Sequence, residues 1–201
     1  MNTDYNEALP SCAANYVPLS PLSFLRRAGK VFAHRTSLIQ DDTRYTWAET
    51  HERCRRLAAA LAGLGIGKGD TVAALLPNIT AMYEAHFAVP MLGAVLNGVN
   101  IRLDAAAIAF ILDHSDSRVL LLDPEFAAVA KEAIAQMKNP APLVITVTDP
   151  AHGFSELFAE LEYESFLAAA EPLDDIALPD DEWNAIALGY TSGTTGNPKG
   201  V

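Results

Sequence analysis

The stretch TVAALLPNITAMYEAHFAVPMLGAVLNGVNIRLDAAAIAFILDHSDSRVLLLD, residues 71–123, alternates short apolar runs with longer amphipathic segments. The apolar runs at residues 71–76, 94–99 and 118–123 have the length of strands, whereas the segments between them have the length of helices. Continuous apolar strands are buried on both faces, and strands that alternate with helices are typical of parallel sheets. The stretch therefore predicts an α/β fold in which helices cover a mostly parallel sheet on both sides.

Capping signals predict where the helices begin, because Ser, Thr, Asp and Asn side chains can accept hydrogen bonds from the free N–H groups of a first turn. The predicted caps are Ser20 for a helix to about residue 33, Thr46 for a helix to about residue 64, Asn78 for a helix to about residue 92 and Asp104 for a helix to residue 114. Pro21 fits the first helical position, and Glu49 completes a capping box with Thr46. Pro90 is expected to kink or end the third helix.

The rest of the chain continues the same alternation. A hairpin is predicted from residues 37–40 and 44–45 around a turn at 41–43. Downstream, the predicted elements are a helix over 124–137, a strand over 143–147, one or two helices within 154–169 and a strand over 185–190. In the helix after Thr46, the i,i+4 spacing predicts ion pairs Glu49–Arg53 and Glu52–Arg56.

Composition and charge narrow the functional classes. The chain has 201 residues, half of them apolar, which is enough for a substantial core. Its net charge of -11 comes from residues 139–198, which hold eleven acidic residues and no Lys or Arg. This acidic balance argues against nucleic-acid binding, and we interpret the acidic run as a solvated face.

The longest apolar run is too short for a membrane helix and the N-terminus lacks a signal-peptide pattern, so cytoplasmic residence is expected.

The two cysteines do not predict a special chemistry. Cys12 and Cys54 are too few for a disulfide framework, and no His or Cys cluster has the spacing of metal ligands. Cys54 lies on the apolar face of the helix after Thr46, so we expect it to be a buried, unreactive thiol.

The segment YTSGTTGNPKG, residues 190–200, has the composition of a phosphate-binding loop. Glycines at three positions allow positive φ and close approach of the backbone to a ligand, and hydroxyl side chains and one lysine can donate hydrogen bonds to phosphate. The candidate binding residues are Thr191, Ser192, Gly193, Thr194, Thr195, Gly196 and Lys199, with Gly200 as the third glycine. Pro198 before the lysine and glycine after it exclude a Walker A loop. Another glycine-rich run, GLGIGKGD at 63–70, precedes a strand instead of opening a helix, and we interpret it as a helix stop and turn.

These eleven residues resemble the signature of the adenylate-forming (AMP-binding) enzymes, a superfamily of acyl-CoA synthetases, luciferases and peptide-synthetase adenylation domains. The stretches NYVPLSPLSFLRRA at 15–28, YTWAE at 45–49 and residues 75–116 resemble the acyl-CoA synthetase (fatty-acid–CoA ligase) branch. The resemblance implies that residues 1–201 are the N-terminal part of an AMP-binding domain, without its later sheet and C-terminal lid domain. It further implies that one arm of the loop is unpaired here and that this polypeptide is inert by itself.

The resemblance also implies an activity. A carboxylic acid, expected to be a fatty or medium-chain acid, would attack the α-phosphate of ATP to form an acyl-adenylate, and CoA would then displace AMP to form acyl-CoA. The loop residues would hold the phosphates, with Mg²⁺ bridging them. The resemblance gives no further catalytic residue and no metal ligand within the chain. Two alternatives stay open, a non-catalytic nucleotide-binding or interaction module and an amino-acid adenylation domain, and a homodimer stays open as well.

Overall fold

The computed structural model describes residues 7, 9–174, 176, 178–191 and 198–201. Within these residues, six strands form one sheet in which every neighbouring pair is parallel. The strands are β3 (Thr71–Leu75), β4 (Val95–Gly98), β5 (Ser117–Leu122), β6 (Leu143–Thr146), β7 (Leu161–Glu162) and β8 (Ala187–Leu188). Their order across the sheet is β7-β6-β5-β3-β4-β8. The parallel sheet confirms the prediction made from residues 71–123.

Two antiparallel hairpins lie outside this sheet, and six α-helices accompany it in the described part of the chain. The hairpin strands are β1 (Thr36–Gln40) with β2 (Thr43–Thr46), and β9 (Tyr190–Thr191) with β10 (Lys199–Gly200). The helices are α1 (Pro21–Val31), α2 (Trp47–Gly63), α3 (Thr80–Met91), α4 (Ala105–His114), α5 (Ala127–Gln136) and α6 (Tyr163–Ala168), with 3₁₀ turns at Pro124–Phe126 and Pro150–His152.

Helices cover both faces of the sheet, as the apolar strands require. Because successive side chains of a strand point to opposite faces, β3 contributes to two cores. Val72 and Ala74 pack in the core formed with α1, α2, α3 and α6. Ala73 and Leu75 pack in the core formed with α4 and α5. The predicted α/β class with a sheet covered on both sides is confirmed.

Three of the four predicted caps are confirmed by hydrogen bonds. The Ser20 hydroxyl accepts from the Leu22 N–H at 3.3 Å, and the Asp104 carboxylate accepts from the Ala107 N–H at 2.8 Å. Thr46 and Glu49 form the predicted capping box in both directions. These bonds span at most three residues, which is why the local sequence was sufficient to predict them.

The predicted cap at Asn78 is wrong. α3 begins one residue later than expected, with Ile79 as its N-cap, and no cap side chain bonds the first turn. Instead, the Gln40 side chain of β1 accepts from the Thr80 N–H and from the Thr80 hydroxyl, each at 2.7 Å. A distant side chain therefore satisfies a donor that a local cap would otherwise satisfy.

Other element boundaries differ from the predicted ones. The helix predicted over 124–137 starts as a 3₁₀ turn before α5. The region 154–169 contains one helix, α6, preceded by the short strand β7. The predicted strand 185–190 is divided, because β8 stays in the sheet while β9 leaves it to pair with β10. Among the described residues, no helix combines the length and apolar character that a membrane crossing requires.

The predicted Glu49–Arg53 pair is also wrong, because Glu49 is used in the capping box. Arg53 instead binds the buried Glu84 of α3 and Glu164 of α6, and its guanidinium lies 4.8 Å from the ring centroid of Tyr45. The Tyr163 hydroxyl donates to Glu84 at 2.6 Å. Burial works against the charge on Arg53, but the carboxylates of Glu164 and Glu84 raise its pKa overall. This network joins α2, α3 and α6.

Two expectations for α2 are confirmed beside this network. Arg56 forms the predicted ion pair with Glu52 at 3.0 Å. Cys54 is a fully buried free thiol, and burial raises its pKa well above the usual value. A thiol in this state is not ionised near neutral pH and is inert as a nucleophile.

Candidate functional site

The predicted phosphate loop begins and ends in the β9–β10 hairpin. Thr191 lies opposite Lys199, and Tyr190 lies opposite Gly200. The Gly189 N–H donates to the Val201 carbonyl at 2.9 Å, and the Val201 N–H donates to the Gly189 carbonyl at 2.8 Å. The two ends of the glycine-rich segment are thus closed by an antiparallel ladder.

The expectation of an unpaired loop arm is therefore wrong. It assumed that the arm after the loop needs a further strand to pair with. An antiparallel hairpin, however, pairs the residues next to its own turn, so Lys199 and Gly200 already have partners in β9.

The structure brings two of the predicted binding residues together. Directly opposed residues of an antiparallel pair project to the same face, with Cβ atoms about 4.5–5.5 Å apart. The Thr191 hydroxyl and the Lys199 ammonium therefore share one face of the hairpin, and both residues are exposed. Ser192, Gly193, Thr194, Thr195 and Gly196 lie outside the described residues.

Gly200 has a different role from the one predicted. It lies in β10, and it is not among the residues with positive φ in the described chain. A Cβ added at this position would lie 3.1 Å from Leu188 Cδ1 and 3.5 Å from Tyr190 Cζ. Gly200 therefore matters because it is small, since β10 packs directly against the Tyr190 ring.

Tyr190 attaches the hairpin to the body of the fold. Its ring packs against the core under α4, and its hydroxyl lies 2.7 Å from Nδ1 of His114, at the end of that helix. The His114 ring in turn stacks on Phe110 at a centroid distance of 5.4 Å. Burial raises the pKa of Tyr190, and the nearby Ser115 side chain acts in the opposite direction.

The sequence does not single out His114 as a functional residue. The residue is 76 positions away from Tyr190, and no spacing or motif connects the two. The signal that could have drawn attention to it is modest: His114 is a polar ring at the end of a strongly apolar helix, directly before the polar turn at Ser115.

An open cavity of about 560 Å³ lies between the β1–β2 hairpin and the start of α3. Its lining includes Gln40, Asn78 and His152. His152 Nδ1 lies 2.9 Å from the Asp149 carboxylate, and this hydrogen bond raises the pKa of His152. The cavity contains neither Thr191 nor Lys199, so it is separate from the β9–β10 hairpin.

The described residues contain no group of three or more His, Cys, Asp or Glu side chains placed to hold a metal ion. Mg²⁺ usually takes one or two carboxylates together with substrate phosphates, so a preformed cage is not needed for it to accompany a nucleotide.

The AMP-binding enzyme family matches this chain over residues 25–201. The chain belongs to that family. Among curated relatives, a peroxisomal acetate/butyrate–CoA ligase of Arabidopsis thaliana is 50% identical over 204 residues, covering 96% of this chain and 36% of the relative. An acetate–CoA ligase of Humulus lupulus is 47% identical, with the same coverage of both chains. A peroxisomal trans-cinnamate:CoA ligase of Petunia hybrida is 45% identical, covering 97% of this chain and 37% of the relative.

This member of the AMP-binding family spans about a third of the length of those relatives. Solved structures agree on the fold. An anthranilate–CoA ligase in complex with anthranoyl-AMP superposes with a TM-score of 0.82 at 22% identity, covering 94% of this chain and 35% of that chain. The N-terminal domain of FACL13 from Mycobacterium tuberculosis superposes with a TM-score of 0.72 at 29% identity, covering 90% of this chain and 43% of that chain.

Proposed function

We propose that this chain supplies the phosphate-binding hairpin of an enzyme that activates a carboxylic acid with ATP and transfers it to CoA. The observation that carries the proposal is the register of the hairpin, in which Thr191 and Lys199 face each other across the two ends of the glycine-rich segment. Family membership supports the same chemistry. Residues 1–201 are proposed to form part of one AMP-binding domain.

In the proposed first step, a carboxylate oxygen of the acid attacks the α-phosphorus of ATP. A new P–O bond forms, the bond to the β-phosphate oxygen breaks, and pyrophosphate leaves. In the second step the CoA thiolate attacks the acyl carbonyl carbon, and AMP leaves with the electron pair of the broken C–O bond. Both leaving groups carry phosphate charge, so donors aimed at phosphate can lower the barrier.

The residues of this chain would act on the first step. The Lys199 ammonium and the Thr191 hydroxyl would donate to the β- and γ-phosphates and align the leaving pyrophosphate. The hydroxyls of Ser192, Thr194 and Thr195 and the amides of Gly193 and Gly196 are proposed to complete the set. Mg²⁺ bound with the nucleotide would neutralise part of the phosphate charge.

For the acid substrate, we propose a chemical class and not a single compound. The three relatives carry the names of acetate, butyrate and cinnamate ligases, which favours a small aliphatic or aromatic acid. The fatty or medium-chain acid expected from sequence remains the competing proposal. The name of one relative includes a peroxisomal location and that of another does not. Cytoplasmic residence, as expected from sequence, and peroxisomal residence are therefore competing proposals.

The test is ATP–pyrophosphate exchange by the proposed full-length enzyme that contains residues 1–201, called the complete polypeptide below. The panel of acids is acetate, butyrate, octanoate, benzoate, cinnamate and the amino acids. Exchange that depends on an aliphatic or aromatic acid is the expected result. Exchange with amino acids alone would instead identify an amino-acid adenylation domain. ATP binding without exchange for any acid would identify a non-catalytic nucleotide-binding module.

Gly200→Val is expected to lower the exchange rate by roughly 100-fold, because a misplacement of about 1 Å in a positioning group can cost that much. The valine side chain would enter the space held by Leu188 and the Tyr190 ring and move β10 with Lys199. Gly200→Ala should have a smaller effect, because its closest neighbour is the mobile end of Leu188.

The matched control for this prediction is Gly63→Val. Gly63 is an exposed glycine at the end of α2, and a Cβ there meets no atom within 4 Å. This variant should keep the exchange rate of the unmodified protein. Equal rates for Gly200→Val and Gly63→Val would contradict the packing role of Gly200.

A further inference from the structure

We propose that His114 is a positioning residue for the phosphate-binding hairpin, because its imidazole holds the Tyr190 hydroxyl and thereby sets the place of Thr191 and Lys199. The inference rests on the proposed function of the hairpin and adds a residue that the signature segment does not contain.

The hairpin needs such an anchor because its strands pair with each other and not with the six-stranded sheet. Backbone continuity through Gly189 is one connection to β8. Among the described hairpin residues, Tyr190 makes the side-chain hydrogen bond to another element, to His114 at the end of α4. The edge-to-face contact between the Tyr190 and His114 rings, with centroids 5.7 Å apart, adds to this connection.

The anchor itself is held from several sides. His114 ends α4 and stacks on Phe110 of the same helix. The next residue, Ser115, is buried, accepts from the Asn97 side chain of β4 at 3.1 Å and bonds the Ser117 hydroxyl of β5 at 2.7 Å. Because β4 is also the strand that pairs with β8, the anchor and the strand leading into the hairpin are attached to the same part of the sheet.

The bond between Tyr190 and His114 can form with either arrangement of the ring proton. When Nδ1 carries no proton, the phenol donates to it, and when Nδ1 carries a proton, it donates to the phenol oxygen.

Movement of Tyr190 would reach the phosphate-binding side chains directly. Thr191 is its neighbour in β9, and Gly200 packs on its ring from β10. Lys199 adjoins Gly200, so both ends of the glycine-rich segment depend on where the ring lies. Loss of the anchor should therefore weaken interactions with ATP while leaving the binding of the acid unchanged.

The experiment compares His114→Ala, Tyr190→Phe and the double variant in the complete polypeptide. ATP–pyrophosphate exchange gives kcat and KM for ATP, and a calorimetric titration gives the ATP affinity. Each single variant should lower kcat/KM for ATP by roughly three- to ten-fold, the effect of one lost hydrogen bond. The double variant should be no worse than either single variant, because both changes remove the same bond.

Two further variants separate positioning from general damage. His114→Asn places an oxygen near the position of Nδ1 and should recover most of kcat/KM for ATP. Such a recovery would not occur if the loss in His114→Ala came from packing. His86→Ala removes an exposed histidine whose Nδ1 bonds the Met82 carbonyl within α3, and it should behave like the unmodified protein. KM for the acid should not change in any variant.

The outcomes also distinguish this inference from the proposed function. Unmodified protein that shows no exchange with any acid overturns the proposed function. In that case the ATP titration still decides the inference: weaker ATP binding by His114→Ala and Tyr190→Phe supports it, and equal or absent binding overturns it. With active protein, single variants at full activity, or effects that multiply in the double variant, overturn the role of His114.

Discussion

Replacing Lys199 with alanine is expected to lower the ATP–pyrophosphate exchange rate of the complete polypeptide by at least about 100-fold, since losing one preorganised donor in a phosphate site costs about 3 kcal/mol. Lys199 faces Thr191 at the closed end of the hairpin. The preceding residues 139–198 contain no Lys or Arg, so none of them can replace the charge of Lys199. The rate should be measured at saturating acid over a range of ATP concentrations.

Controls can show that this loss comes from the position of the lysine. Lys131→Ala removes another exposed lysine, from α5, and should leave the exchange rate unchanged. Lys199→Arg keeps the positive charge but carries it on a planar guanidinium, so it should recover part of the exchange rate. An exchange rate for Lys199→Ala within threefold of the unmodified rate would exclude Lys199 from the phosphate site.

Arg53→Ala is expected to cost about 3–5 kcal/mol in the free energy of unfolding, the usual effect of removing one partner of a buried ion pair. The Glu84 side chain is 1% exposed, so in the described part of the chain the variant would leave this buried carboxylate with a hydrogen bond from the Tyr163 hydroxyl. Urea denaturation followed by circular dichroism measures the loss. The control Glu52→Ala breaks the exposed pair with Arg56 and should cost no more than about 1 kcal/mol.

The Arg53→Ala loss should also depend on pH. Burial raises the pKa of Glu84, while the Arg53 guanidinium acts against that rise in the unmodified protein. Without the guanidinium, the folded variant binds a proton at a higher pH than the unfolded chain does. Its stability therefore falls as pH rises through the folded pKa of Glu84. The destabilisation should be larger at pH 8 than at pH 5, and an equal loss at both pH values would show that an unpaired carboxylate is not its cause.

The features that sequence predicted correctly depend on short distances along the chain. The strands of residues 71–123 were read from continuous apolar runs, and the capping box of Thr46 and Glu49 from a three-residue spacing. The binding roles of Lys199 and Thr191 stay predictions, and the structure adds that these two residues lie opposite each other. Each of these predictions uses information contained within a few residues.

Two of the predictions that failed did so where a distant group competed with a local one. Asn78 was a reasonable local cap, but Gln40 reaches the start of α3 from another hairpin. Glu49 had the correct spacing to pair with Arg53, but Arg53 lies beside Glu84, and a buried carboxylate needs a charged partner more than an exposed one does.

Sequence alone was sufficient for the α/β class and most helix starts, because periodicity and capping act over one or two turns of chain. Three pairings became visible only in the tertiary structure. Arg53 pairs with Glu84, 31 residues away, and Thr80 pairs with Gln40, 40 residues away. Tyr190 pairs with His114, 76 residues away. The physical reason is that a side chain bonds whichever group folding brings to it, and burial makes that bond costly to leave unmade. In this protein, the residues proposed to donate to phosphate are therefore visible in the sequence, whereas the proposed positioning residue, His114, is visible only in the fold.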